Sequence, residues 1–142
     1  MPKLQGGIPL LFLQYVADLC DHTTVIALSL QSGSSGNSIY VETDDARLLF
    51  DAGISCSGAA HRLAARGIDA RTVDALIISH DHGDHVRHAG VYQRRFGVPL
   101  FISPRTLDRA RSRHSLGTLS HIHYFLPGGL FRINDTVVET LP

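Results

Sequence analysis

Cysteine is scarce in this chain of 142 residues: Cys20 and Cys56 form no C-x-x-C pair, and two in a chain this long do not make a disulfide framework. A reducing, cytoplasmic setting is the expectation. Charge of one sign is also lacking, because 13 basic residues balance 13 acidic ones and no polybasic run occurs. No global positive field therefore argues for nucleic acid, and nothing argues for a membrane surface. Long apolar runs are missing as well. The most apolar stretch near the start, Ile8 to Val16, is interrupted by Gln14, followed by Asp18, and too short to span a bilayer. No small-residue cleavage site comes after it, so a surface helix or a loosely attached extension is favoured over a targeting signal. Repeats and low-complexity segments are absent, and 44% hydrophobic content suits one core and one domain.

Histidine is what the chain has in excess. There are nine, and histidine is both the commonest metal ligand and an acid or base near neutral pH. Their placement depends on how the chain is organised. Thr24 to Leu30 is β-branched and apolar, the Ser32 to Asn37 segment breaks it with glycine and serine, and Ile39-Tyr40-Val41 resumes an extended pattern. Asp44-Asp45 offers a turn, and Arg47 to Phe50 can pair back as a hairpin strand that delivers Asp51 at its end. From Ser57, a candidate cap, the period changes: Ala60, Leu63, Ala64 and Gly67 have helical spacing, with Gly67 a candidate stop.

Ala75 to Ser79 is apolar without alternation, which suits a strand buried on both faces. Ala89, Tyr92 and Phe96 share a helical face before Gly97, and Val98 to Ile102 reads as the next strand. Ser103-Pro104 opens a helix to about Arg111. Beyond His114 the texture turns to β: Ile122 to Phe125, Leu130 to Ile133 and Thr136 to Leu141, separated by turns at Pro127-Gly128-Gly129 and Asn134-Asp135. The expected fold class is α/β.

His80, His82, Asp84 and His85 fall within six residues at the end of the buried strand, where loops present side chains into a shared crevice. An H-x-H pair in extended geometry points two imidazoles the same way, so one ion can take both, while Asp84 and His85 turn toward a second. Mixed nitrogen and oxygen ligation suits zinc, with manganese or iron as alternatives. Two such ions would hold a bridging hydroxide, bring its pKa toward neutrality and polarise the bond it attacks. The competing reading is that these side chains only cap the helix that follows.

The run Ser79-His80-Asp81-His82-Gly83-Asp84-His85 resembles the H-x-H-x-D-H signature of the metallo-β-lactamase fold. Leu49-Phe50-Asp51-Ala52-Gly53 is similar to that fold's earlier strand-end aspartate motif, and Ser32-Gly33-Ser34-Ser35-Gly36-Asn37-Ser38 resembles the opening of its YycJ-like and cyclic-phosphodiesterase-like bacterial subgroup. The resemblance covers roughly residues 24 to 142, leaving 1–23 as an atypical N-terminal extension. It implies an αββα sandwich, a two-zinc site and hydrolysis of phosphodiesters, a nucleotide or nucleic acid among them, by a metal-bound hydroxide. Thioester or lactam hydrolysis is the alternative chemistry.

By the same resemblance, His80 and His82 would bind the first ion, and Asp84 and His85 the second. Asp84 would also orient the attacking water, and Asp51 would hold the histidine loop by hydrogen bonds. Closing a turn is the plainer reading of Asp51. For Ser34, Ser35, Gly36 and Asn37 two readings stand level: a cradle of backbone amides for an anionic substrate, or a flexible hairpin loop beside the site. No Gly-Lys-Ser/Thr follows, so this is not a Walker motif. His121 and His123 form another H-x-H without a carboxylate and are expected to be partly exposed and non-ligating; His22, His61, His88 and His114 are isolated and are assigned no role.

The later histidine, bridging aspartate and final histidine that the resemblance implies have no counterpart up to Pro142. The expectation is therefore the N-terminal part of the domain: one mixed sheet with flanking helices and two protein ligands for each ion. Its catalytic competence as a fragment is open, and a fragment that binds metal weakly or serves only as an interaction half-domain is the competing function. An inner sheet face without a partner would favour self-association.

Overall fold

The computed structural model describes residues 24–142; residues 1–23, with Cys20, His22 and the Ile8 to Val16 stretch, lie outside the described residues. A mixed sheet of six strands has the order β1-β2-β3-β4-β5-β6. Its strands are β1 (Ile26–Gln31), β2 (Ser38–Glu42), β3 (Arg47–Phe50), β4 (Ala75–Ile77), β5 (Leu100–Ile102) and β6 (Ile122–Tyr124). The first three pair antiparallel as a meander, and β3 to β6 pair parallel. Helices fill the crossovers between the parallel strands: α1 (Cys56–Ala64) with a 3-10 turn (Ala70–Thr72) before β4, α2 (Gly83–Val86) and α3 (Ala89–Phe96) before β5, and α4 (Pro104–Arg113) before β6. Strands β7 (Leu130–Ile133) and β8 (Thr136–Glu139) form a separate hairpin.

Side-chain alternation divides the sheet into two packed faces. Leu30, Tyr40, Leu49, Leu76, Leu100 and Ile102 turn to one face, where they pack with Leu63 of α1, Tyr92 and Phe96 of α3, and Leu107 and Ala110 of α4. Val41, Leu48, Ala75 and Ile77 turn to the other, against Ile133 and Val138 of the hairpin, with Phe101, Phe125 and Phe131 packed at the edge. The expectation of an inner face with no partner is thus revised, because β7 and β8 fold back over it. Leu126, Leu130 and Leu141 remain exposed around the hairpin.

Boundaries fall close to those expected, with local reasons for the differences. The cap of α1 is Ser55, whose hydroxyl accepts from the Gly58 amide, rather than Ser57. Gly67 sits at φ +73° just past the helix, where its N–H donates to Ala64 and that of Ile68 to Leu63. Ser103 caps α4 by accepting from the Thr106 amide, with Pro104 in the first turn, and the helix runs two residues beyond Arg111 to Arg113. The parallel strands β3, β4 and β5 all finish at one edge of the sheet, and their carboxyl ends present Asp51, the His80 to His85 segment and Ser103 there.

Candidate metal centre

The site is assembled around Asp51, one residue beyond β3. Its backbone is in the left-handed region at φ +66°, which aspartate tolerates better than most residues, and its side chain is buried. Oδ1 accepts from the Ser79 amide at 2.8 Å and from the Ser79 hydroxyl at 2.9 Å, and Oδ2 meets His85 Nδ1 at 2.7 Å. One carboxylate therefore ties the start of the histidine segment to its end. The Asp51 bond assigns the His85 proton to Nδ1 and leaves the Nε2 lone pair on the side that faces Asp84 and the Asn37 amide. The same bond holds His85 above the ordinary histidine pKa, with burial opposing it.

A second set of bonds comes from the glycine-serine loop. The Asn37 amide N–H donates to the Asp84 carbonyl at 2.7 Å, and its side-chain Nδ2 stands 3.1 Å from both Asp84 Oδ2 and His85 Nε2. Asn37 also closes its own loop, donating to the Gly33 carbonyl and accepting from the Gly33 amide. Gly53 makes this contact possible. A Cβ at Gly53 would fall 1.6 Å from the Asp84 carbonyl oxygen, so no other residue fits there without displacing the motif backbone. Ser34 and Ser35 are exposed at the loop tip, where the Ser35 hydroxyl accepts from Gln31; Gly36 is buried against Gly53 and Ile54.

His80 and His82 form the more open arm. The His80 ring lies 4.1 Å from that of His85 and 4.7 Å from that of His82, and its Nδ1 meets the Ser79 hydroxyl at 2.8 Å. Burial, reinforced by the neighbouring His85 imidazole, pushes His80 below the ordinary histidine value. His82 is exposed and caps α2 through its backbone.

Two residues that sequence reasoning passed over brace the same loop from α4. Arg113 pairs with Asp81 at 2.6 Å, and His114 Nε2 lies 3.1 Å from the Asp81 carbonyl, with its ring against Gly83. They stand 32 and 33 residues beyond Asp81, so no local pattern marks them. His123 stacks on Phe101 at 4.6 Å on the opposite face of the sheet, His61 is exposed on α1, and His88 precedes α3.

Three imidazoles and a carboxylate are a donor set suited to a borderline cation such as zinc. Bonds of about 2.1 Å in tetrahedral geometry set neighbouring donors about 3.4 Å apart. Asp84 Oδ2 and His85 Nε2 stand 3.6 Å apart, close to that bite. Among the described residues, no group of three or more histidine, cysteine, aspartate or glutamate side chains is gathered for a single ion. The residues fit the group in kind and in this one spacing.

A mixed sheet that displays a histidine and aspartate loop at the carboxyl end of a buried parallel strand defines a class. The model of the metallo-beta-lactamase superfamily matches residues 32–141, and the chain belongs to that superfamily of hydrolases. Within it, the chain is 35% identical over 113 residues to exodeoxyribonuclease WalJ of Streptococcus pneumoniae serotype 2, covering 78% of this chain and 42% of that protein. It is 34% identical over the same length to exodeoxyribonuclease YycJ of Bacillus anthracis. The chain thus spans less than half the length of these relatives. Among solved structures, a metallo-beta-lactamase from Cronobacter sakazakii superposes with TM-score 0.68 at 16% identity, over 81% of this chain and 50% of that one. Rm3 metallo-beta-lactamase gives 0.64 at 21% identity, over 78% and 46%. These likenesses establish the αββα-type fold, of which the chain carries one part.

Proposed function

We propose that this chain carries the N-terminal part of a metal-dependent phosphodiesterase acting on DNA, with residues 24–142 belonging to its metallo-β-lactamase domain. The observation that carries the metal half of this reading is the Asp51 carboxylate, which orients His85 Nε2 toward Asp84 Oδ2 at a chelating separation. The substrate half rests on the two exodeoxyribonuclease relatives and on the phosphodiesterase-like motifs at Ser32 to Ser38. His80 and His82 would hold one zinc ion and Asp84 and His85 another, with manganese or iron as substitutes. When bound, such a cation polarises the phosphodiester and acidifies water near neutral pH.

The protein's own residues then have separable tasks. Asp51 fixes the tautomer of His85 and, through Ser79, the direction in which His80 leaves the strand. Asp84 presents Oδ2 to the site, and Oδ1 makes no hydrogen bond among the described residues and is free to orient a water. Arg113 holds the Asp81 carboxylate and His114 its backbone carbonyl, which braces the loop between His80 and His82. Among the described residues no helix is long and apolar enough to cross a membrane, and a cytoplasmic enzyme is the setting we propose.

The test is digestion of end-labelled DNA by the purified chain with added zinc or manganese, alongside release of nitrophenol from a generic phosphodiester. Stepwise shortening from an end, abolished by EDTA and by His82→Ala, is the expected result. Stoichiometric metal without turnover would favour the second reading, a metal-binding half-domain; no metal uptake and no turnover would overturn the proposal.

A further inference from the structure

The balanced net charge conceals an uneven distribution. Between Arg87 and Arg113 lie seven arginines and a single carboxylate, Asp108. Five of the eight charged residues involved sit on α4, a helix with only Leu107 and Ala110 buried. Arg105, Arg109 and Arg113 recur at i, i+4 and i+8, so they rise along one side of the helix as a ridge on the order of 12 Å long. Arg105 and Arg109 are exposed, and neither side chain has a hydrogen bond or ion pair among the described residues. Neither guanidinium is paired with Asp108, the single carboxylate of this segment, among the described residues.

The position of the ridge relative to the site is fixed by its two ends. The helix starts at Ser103, at the carboxyl end of β5, and its last turn reaches Asp81 through Arg113 at 2.6 Å. It therefore lies along the same sheet edge as the histidine loop. Arg87, exposed just after α2, donates from Nε to the Gly83 carbonyl at 2.9 Å and adds a fourth guanidinium on this rim. Arginine presents planar donors matched to phosphate oxygens, and contacts of this kind position a nucleic acid without reading its sequence.

We infer that Arg105 and Arg109, continuing through Arg113 and Arg87, form a phosphate-backbone track that holds a DNA strand against the histidine loop. This rests on the proposed phosphodiesterase reading and adds to it the surface that retains the polymer. Its ligand is the repeating phosphodiester backbone of DNA, in preference to a single small phosphoester, because Arg105, Arg109 and Arg113 are spread over about 12 Å of helix rather than gathered at one point.

Binding in EDTA separates this surface from catalysis. A fluorescein-labelled DNA of about twenty nucleotides, single-stranded or duplex, is titrated with the full chain, with melting curves run on every variant. Arg105→Glu/Arg109→Glu is expected to weaken binding at least tenfold at low salt. Arg105→Gln/Arg109→Gln is expected to flatten the log K against log salt slope by about 1.8 on duplex and about 1.4 on single-stranded DNA, as the loss of two phosphate contacts requires. Arg132→Glu, on the hairpin across the sheet, is the control and is expected to change affinity less than twofold. Equal losses in the ridge and control variants, or an unchanged slope in the glutamine variant, would overturn the track. DNA cleavage with ridge-independent binding would reject the track and keep the nuclease reading; ridge-dependent binding without cleavage under any metal would do the reverse.

Discussion

The two arms of the histidine loop are built differently. Asp84 and His85 are held from three sides, by Asp51 from β3, by Asn37 from the glycine-serine loop and by their own helical turn. His80 and His82 have one side-chain hydrogen bond between them, to Ser79, and otherwise rest ring against ring. Hydrogen bonds to a buried carboxylate fix a side chain to a fraction of an ångström, whereas ring contacts allow it to turn. The inner arm is thus fixed by hydrogen bonds formed on folding, whereas the outer arm rests mainly on ring contacts.

Asp51→Ala tests the inner arm most severely. It strands the Ser79 amide and the His85 imidazole and places alanine at φ +66°, so a loss of roughly 3 kcal/mol and a fall in melting temperature on the order of 10 °C are expected. Chemical denaturation in EDTA measures it without interference from metal. A loss below about 0.5 kcal/mol would mean that Asp51 merely closes a turn.

Next in size is the effect of the ion. Zinc at a hundredfold excess over its dissociation constant should stabilise the chain by about 2.7 kcal/mol, and chelation should remove that gain. Asp51→Asn retains all four proposed ligands yet should weaken zinc binding by about 10–100-fold, because the amide cannot accept in both places where the carboxylate does. Isothermal titration distinguishes this from the near-complete loss expected for Asp84→Ala.

The imidazoles offer a finer test, because the two arms shift in opposite directions. In metal-free protein the His85 ring should titrate above the His80 ring, and Asp51→Asn should lower His85 toward its ordinary value; nitrogen NMR across pH 5 to 8 reads both. The raised His85 value gives stability that is present below the unfolded value, near 6.5, and lost as pH rises through the folded one. The lowered His80 value acts the other way, its contribution being present above about 6.5 and lost as pH falls. The two offset one another in the wild-type chain. In Asp51→Asn the His85 part disappears, and stability should then fall more steeply as the solution is acidified.

Much of the inner arm is legible in the sequence, because local signals and tertiary packing agree there. The unalternating run from Ala75 becomes a strand buried on both faces, and its end delivers the histidines. Phe50-Asp51 ends its strand at the same edge. What could not be read are contacts that have no local period: Arg113 and His114 meeting Asp81, Asn37 reaching Asp84 and His85, and the β7–β8 hairpin folding over the second face of the sheet. The arginine ridge was hidden differently, since a neutral total says nothing about where charges lie once α4 has buried Leu107 and Ala110 and turned Arg105 and Arg109 outward. The displaced cap of α1 has a smaller cause. Ser55 and Ser57 are chemically equivalent, and the choice depends on backbone direction at the end of the Asp51 to Ile54 segment.

His82→Ala should have the smallest effect on the folded state and so sharpens the comparison most. The residue is exposed, its ring contact among the described residues is with His80, and its backbone role as the residue preceding α2 is kept by alanine. A stability change within about 0.5 kcal/mol is expected in EDTA. The zinc-dependent gain, however, should shrink markedly, because removing His82 leaves His80 as the single protein donor on its side. A variant that is neutral without metal and impaired with it identifies an arm that contributes to ion binding rather than to folding. Destabilisation in EDTA comparable to that of Asp51→Ala would instead make both arms structural, and the distinction between them would fail.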